Sequence, residues 1–197
     1  MDHEGPGKVN ILIIKLSAIG DVIHTLPAAA ALRKRYPDAH ITWVIEEAAS
    51  DLIKGHPHLD EVIISRRKSW ISDLRSGRVG SAGKEIRTFL RELRACHFDL
   101  VIDFHGLFKS AAIAFLSGGK RKLGYDSMQE LSGLFYNEKI PEDMGRHAVD
   151  RYLDFARYLG ADAGAPEFFI PVEEENRARA ESLLRAGHIG KKDPFVA

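Results

Sequence analysis

Four short segments of this chain are apolar along almost their whole length: VNILIIK (9–15), HITWVIE (40–46), EVIIS (61–65) and DLVIDF (99–104). A strand with one wet face alternates apolar and polar residues, whereas a strand apolar on both faces must be covered on both. KRKLGY (120–125) repeats the form more weakly. Helical patterns fill the intervals. Residues 21–36 are rich in Ala and Leu and end before Pro37. Residues 107–116 read LFKSAAIAFL, residues 147–159 read HAVDRYLDFARYL with Gly160 as a natural stop, and 173–186 form one more helix. Within 84–95, Ile86, Phe89, Leu90 and Leu93 fall on one face at core spacing, while Arg87, Arg91 and Arg94 line another. Strands alternating with helices specify an α/β fold, a Rossmann-like parallel sheet with helices on both faces. Residues 1–8 read as a loose leader and 9–190 as one domain. KKDPFVA (191–197) reads as the first residues of a further strand, the start of a truncated second domain.

Charge narrows the partners. The net charge is zero, yet Arg66, Arg67, Lys68, Arg75, Arg78, Lys84, Arg87, Arg91 and Arg94 are opposed between 66 and 94 only by Asp73, Glu85 and Glu92. Such a stretch either meets something anionic or is a solvated loop and helix face. The single cysteine, Cys96, excludes a disulfide within the chain and fits a reducing compartment. No secretory signal pattern opens the sequence, and no apolar run reaches the ~20 residues of a membrane span.

Ligands of open α/β sheets bind beyond the carboxyl ends of the strands. That rule gathers Ser17, Gly20 and Asp21 after the first strand, and Glu46 and Glu47 after the second. Arg66, Arg67, Lys68 and Trp70 follow the third, His105, Gly106 and Lys109 the fourth, and Tyr125 and Asp126 the fifth. Asp21 either caps the free N–H groups of its helix or serves as a general base at a cleft mouth. Gly20 would allow close substrate approach. Glu46 and Glu47 read as solvated strand-end acids. His105 is a loop hydrogen-bonder or a ligand contact, and Lys109 complements an anion or faces solvent. His147 and Arg151, four apart on one helix, either anchor it or reach the cleft. Trp70 stacks on a sugar or fills the core. Neither G-x-G-x-x-G nor G-x-x-x-x-G-K-[ST] occurs, which counts against an NAD- or FAD-binding oxidoreductase. H-E-x-x-H, C-x-x-C and G-x-S-x-G are missing too, and HPH (56–58) is too thin for a metal site, so neither metal nor cofactor is expected.

Taken together, KLSAIGDVIHTLPAAAALRKRYP, ITWVIEE, RRKSW, DFHGLFKSA, LFYN and HAVDRYL resemble the N-terminal half of the ADP-heptose glycosyltransferases, family nine. The resemblance covers about residues 9–197. RRKSW and DFHGLFKSA are closer to its type I branch than to type II. The resemblance implies the acceptor half of a GT-B enzyme, two Rossmann-like domains with a cleft between. It implies inverting, metal-independent transfer of heptose from ADP-heptose to Kdo of the lipopolysaccharide core, at the cytoplasmic face of the inner membrane. Asp21 matches the family's catalytic aspartate, and Arg66, Arg67 and Lys68 match its basic acceptor-binding cluster. Ser17, Gly20, His105 and Lys109 are further acceptor-contact candidates, and donor contacts are expected in the second domain. The implied partners are ADP-heptose, Kdo-lipid A and an anionic membrane surface that the Arg87–Arg94 face would meet; no nucleic acid is expected. Before LFYN the segment looks shorter than the family's form, with Gln129 where an arginine is expected, a departure that counts against acceptor contacts from that loop. The alternatives are an inactive module that binds an anionic glycolipid, and type II-like specificity.

Overall fold

The computed structural model describes residues 8–126, 129–162 and 164–187. The leader, apart from Lys8, and the strand expected at 191–197 lie outside the described residues, as does the side chain of Gln129. Six strands form one sheet: β1 (Asn10–Ile14), β2 (His40–Glu46), β3 (Glu61–Ser65), β4 (Leu100–Asp103), β5 (Arg121–Tyr125) and β6 (Glu138–Ile140). Their spatial order is β3-β2-β1-β4-β5-β6, and every neighbouring pair is parallel. That is the strand order of the Rossmann fold.

The helices are α1 (Ile19–Arg35), α2 (Arg67–Arg75), α3 (Val79–Ala95), α4 (Phe108–Leu116), α5 (Ala148–Tyr158) and α6 (Glu174–Ala186). Successive side chains of a strand point to opposite faces, so NILII feeds two cores. Ile11 and Ile13 join Trp43, Ile45 and Ile102 against Leu26 and Leu32 of α1 and Phe155 of α5. Leu12 and Ile14 join Val44 and Val101 against Phe89 and Leu93 of α3 and Ala111 of α4. The alanines of α1, Ala28 to Ala31, are all buried, and their small side chains let α1 lie close between sheet and α5. Arg87, Arg91 and Arg94 are exposed on α3, opposite its buried stripe.

Two elements depart from the sequence reading. Arg67 and Lys68, placed by the sequence only after the third strand, start α2, a helix with no fully buried residue. Strand β6, only three residues long, extends the sheet beyond β5.

Candidate active site

Helix α1 leaves β1 toward one face of the sheet, and α4 leaves β4 toward the other. Because β1 and β4 are neighbours, the two connections diverge and open a crevice beyond the strand ends. Three side-chain groups line this edge.

The first is built on Lys15 and Asp21. Lys15 ends the β1 run and is buried. Its Nζ donates to the Tyr152 hydroxyl at 2.7 Å and to the Phe104 carbonyl at 3.2 Å, and lies 3.4 Å from Asp21 Oδ2. Burial pushes the Lys15 ammonium below the ordinary lysine range, against the pull of Asp21. The Asp21 side chain is 46% exposed and sits in the first turn of α1. The N-cap of that helix is Ala18, with no side-chain cap bond, so Asp21 does not cap α1. Its carboxylate is held by Lys15 instead and opens to solvent. A Cβ at Gly20 would meet nothing within 4 Å, so the fold itself does not require glycine there.

The second group shapes the loop after β4. Asp103 is fully buried. It accepts from the Tyr136 hydroxyl at 2.6 Å and from the backbone N–H of His105 at 2.8 Å and of Gly106 at 3.2 Å. Gly106 takes φ +71°, a left-handed conformation that suits glycine, and its carbonyl accepts from Ser132 Oγ at 2.9 Å. Burial nevertheless holds the Asp103 carboxyl above the usual carboxylate range. The loop so fixed presents His105 beside the Ser17 backbone. Burial, with Lys15 and Lys109 close by, drives His105 down to about 3, so its imidazole is neutral at physiological pH.

The third group reverses an expectation. Glu46 is buried, with only 5% of its side chain exposed, and is not a solvated strand-end acid. It lies 3.5 Å from Arg67, 3.4 Å from Lys68 and 3.9 Å from Lys109, while Glu47 pairs with Arg66 at 3.3 Å. Two cations in the first turn of α2 oppose the helix dipole, and Glu46 offsets them. Four cations against two acids leave an excess of two positive charges. Lys68, 74% exposed, and Arg66, 53% exposed, are the members most open to a ligand.

The structure therefore brings Asp21, Ser17, His105, Lys109, Arg67 and Lys68 to one edge, with Lys109 touching Glu46 and close to His105. Trp70 is half-buried against Phe89, ring centroids 5.2 Å apart, and belongs to the core. His147 caps α5, accepting from the Val149 N–H at 3.3 Å, and Arg151 pairs with Glu142 at 2.7 Å; both anchor their helix. Tyr125 is buried and Asp126 accepts from the Glu142 N–H, so neither faces the crevice as a free group. Sequence reasoning missed Lys15, Asp103 and Tyr152. Lys15 and Asp103 carried a signal, a charge at the carboxyl end of an otherwise apolar strand.

Residues 86–197 match glycosyltransferase family 9 (heptosyltransferase). Lipopolysaccharide heptosyltransferase 1 of Escherichia coli K12 is 36% identical over 160 residues, 77% of this chain and 48% of that protein. The solved E. coli heptosyltransferase WaaC with ADP-2-deoxy-2-fluoro heptose superposes with a TM-score of 0.71 at 32% identity, over 81% of this chain and 51% of that one. A family 9 glycosyl transferase from Veillonella parvula gives 0.75 at 27% identity, over 94% and 51%. The chain spans about half the length of the curated relatives it matches.

Proposed function

This chain belongs to glycosyltransferase family 9, and on that premise we propose that it forms the acceptor side of a type I lipopolysaccharide heptosyltransferase. The observation that carries the reading is the half-exposed Asp21 carboxylate, held by a buried lysine at the mouth of a crevice whose other wall is cationic. In the proposed reaction an acceptor hydroxyl of Kdo gives its proton to Asp21 while its oxygen attacks the anomeric carbon of ADP-heptose. The bond from that carbon to the β-phosphate oxygen breaks, ADP departs, and attack from the opposite side inverts the centre. Asp21 Oδ2 faces Lys15, and Oδ1 has no hydrogen-bond partner among the described residues, which leaves it for the hydroxyl. Lys15 positions the carboxylate; Tyr152 and the Phe104 carbonyl position Lys15.

Arg66, Arg67, Lys68 and Lys109 would hold the acceptor's carboxylate and phosphates by charge-assisted hydrogen bonds. Ser17, Gly20 and His105 would border the sugar, with His105 a neutral hydrogen-bonding group and not a second acid. The exposed basic face of α3 suits an anionic lipid surface on the cytoplasmic side of the inner membrane. No described helix is long and apolar enough to cross a membrane.

The test pairs calorimetry with a transfer assay, using Kdo-lipid A and ADP-heptose. Acceptor binding that weakens in Lys68→Ala and survives in Asp21→Asn supports the assignment of the two walls. Transfer lost in Asp21→Asn supports the base. Binding without turnover in this chain alone fits an acceptor half, the same result with a donor domain supplied points to the inactive module, and no acceptor binding at all overturns the reading.

A further inference from the structure

At the opposite edge of the sheet, where the strands begin, three unlike side chains converge. His40 opens β2, Glu61 opens β3, and Cys96 follows the last residue of α3. His40 Nε2 lies 3.5 Å from Glu61 Oε2, and Cys96 Sγ lies 3.7 Å from the same oxygen. One donor atom from each falls within 4.8 Å of the other two. The fold enforces this meeting. His40 and Thr42 share a strand face with Val44, which packs on the α3 side, and the parallel register pairs Thr42 with Glu61.

Tetrahedral zinc with ligands at about 2.0–2.3 Å sets nitrogen and oxygen donors about 3.3 Å apart, and sulfur and oxygen donors about 3.6 Å apart. The two separations measured here match those values within about 0.2 Å. The donor chemistry agrees. A thiolate with an imidazole favours zinc over magnesium or calcium, and thiolate plus carboxylate cancel a double positive charge. We propose that His40, Glu61 and Cys96 bind a zinc-type divalent cation, with water as fourth ligand. On binding, the metal–sulfur bond replaces the thiol S–H, and the proton leaves to solvent. All three residues are half-buried, so metal and water have access. The cation would clamp the edge strand β3 and the end of α3 to β2, away from the crevice, and the inference is independent of heptose transfer.

Cobalt(II) titration of the whole chain tests it directly. Cys96 is the only cysteine, so a thiolate-to-cobalt charge-transfer band reports this position and no other. The expected result is a band that saturates at one equivalent and is displaced by zinc. Affinity should fall by more than about 100-fold in both His40→Gln and Glu61→Gln, beyond the 10–100-fold typical of outer-shell partners. Zinc should also raise Tm in the unaltered chain and leave Cys96→Ser unmoved. No band in the unaltered chain overturns the proposal. So does a band of unchanged affinity in both variants, which would mean a lone thiol binding metal by itself.

Discussion

Gly124 controls the candidate site from inside the sheet. A Cβ placed there would lie 2.3 Å from two ring carbons of Tyr136 and 2.7 Å from a third. The ring cannot retreat without cost, because its hydroxyl donates at 2.6 Å to the fully buried Asp103. Gly124→Ala therefore forces both overpacking, about 1–3 kcal/mol, and loss of a hydrogen bond to a charged group, about 1.5–3 kcal/mol. The combined cost is about 3–5 kcal/mol, or a fall in Tm on the order of 10 °C for a domain of this size. Tyr136→Phe removes the hydroxyl alone and should cost about half as much. Its deficit should shrink as pH falls through the raised folded-state pKa of Asp103, since only the carboxylate loses a charge-assisted donor. Thermal unfolding followed by circular dichroism at several pH values measures all three effects. A Gly124→Ala protein within about 2 °C of the original, or a Tyr136→Phe protein less stable than Gly124→Ala, refutes the link from β5 to the His105 loop.

Other perturbations separate chemistry from scaffold. On the proposed reading, and with a donor domain supplied, Asp21→Asn should lower heptose transfer by at least about 100-fold, the usual scale for losing a general base, with calorimetric acceptor affinity retained. Lys68→Ala should weaken acceptor binding most at low salt, because its ammonium is exposed; equal loss at high salt would contradict an electrostatic role. The His105 imidazole should stay neutral in NMR titration down to about pH 3. Its folded-state pKa lies below the unfolded value, so the unfolded chain gains the proton first and His105 subtracts stability as pH falls below 6.5. His105→Gln should flatten that part of the acid limb.

Regular elements were legible because their signals are local. The runs 9–15, 40–46, 61–65, 99–104 and 120–125 became β1 to β5 with ends moved by at most a residue. Helix α2 escaped because RKSWISDLR has no buried stripe and carries cations at its first turn. Strand β6 escaped because EKI is too short to show a period. At the candidate site, the rule about strand ends gathered Asp21 and the cations, which the structure places on one edge. It did not find what holds them. Lys15 meets Tyr152 across 137 residues, and Glu46 meets Arg67 across 21. No local spacing encodes either pair, so the sequence alone presents Glu46 as a solvated acid, and only the meeting of β2 with α2 makes it a buried partner.

An acid in the first loop of a Rossmann-like sheet is awkward if that loop must hold phosphate. It is reasonable if the loop must take a proton. A carboxylate that acts as a base is weakened by close cations, whereas an anion site needs them. The sheet keeps the two needs apart. Asp21 rides on α1, packed on one face, while Arg67, Lys68 and Lys109 ride on α2 and α4 on the other side. Among the described residues the one cation paired with Asp21 is Lys15, and burial disfavours its charge. Lys15 is also committed to Tyr152 and Phe104, so it is not free to swing onto a ligand anion. A crevice with a carboxylate on one wall and cations on the other suits the proposed acceptor, anionic overall and losing a hydroxyl proton at one position. A phosphate-gripping loop after β1 would have placed the positive charge on the wrong wall.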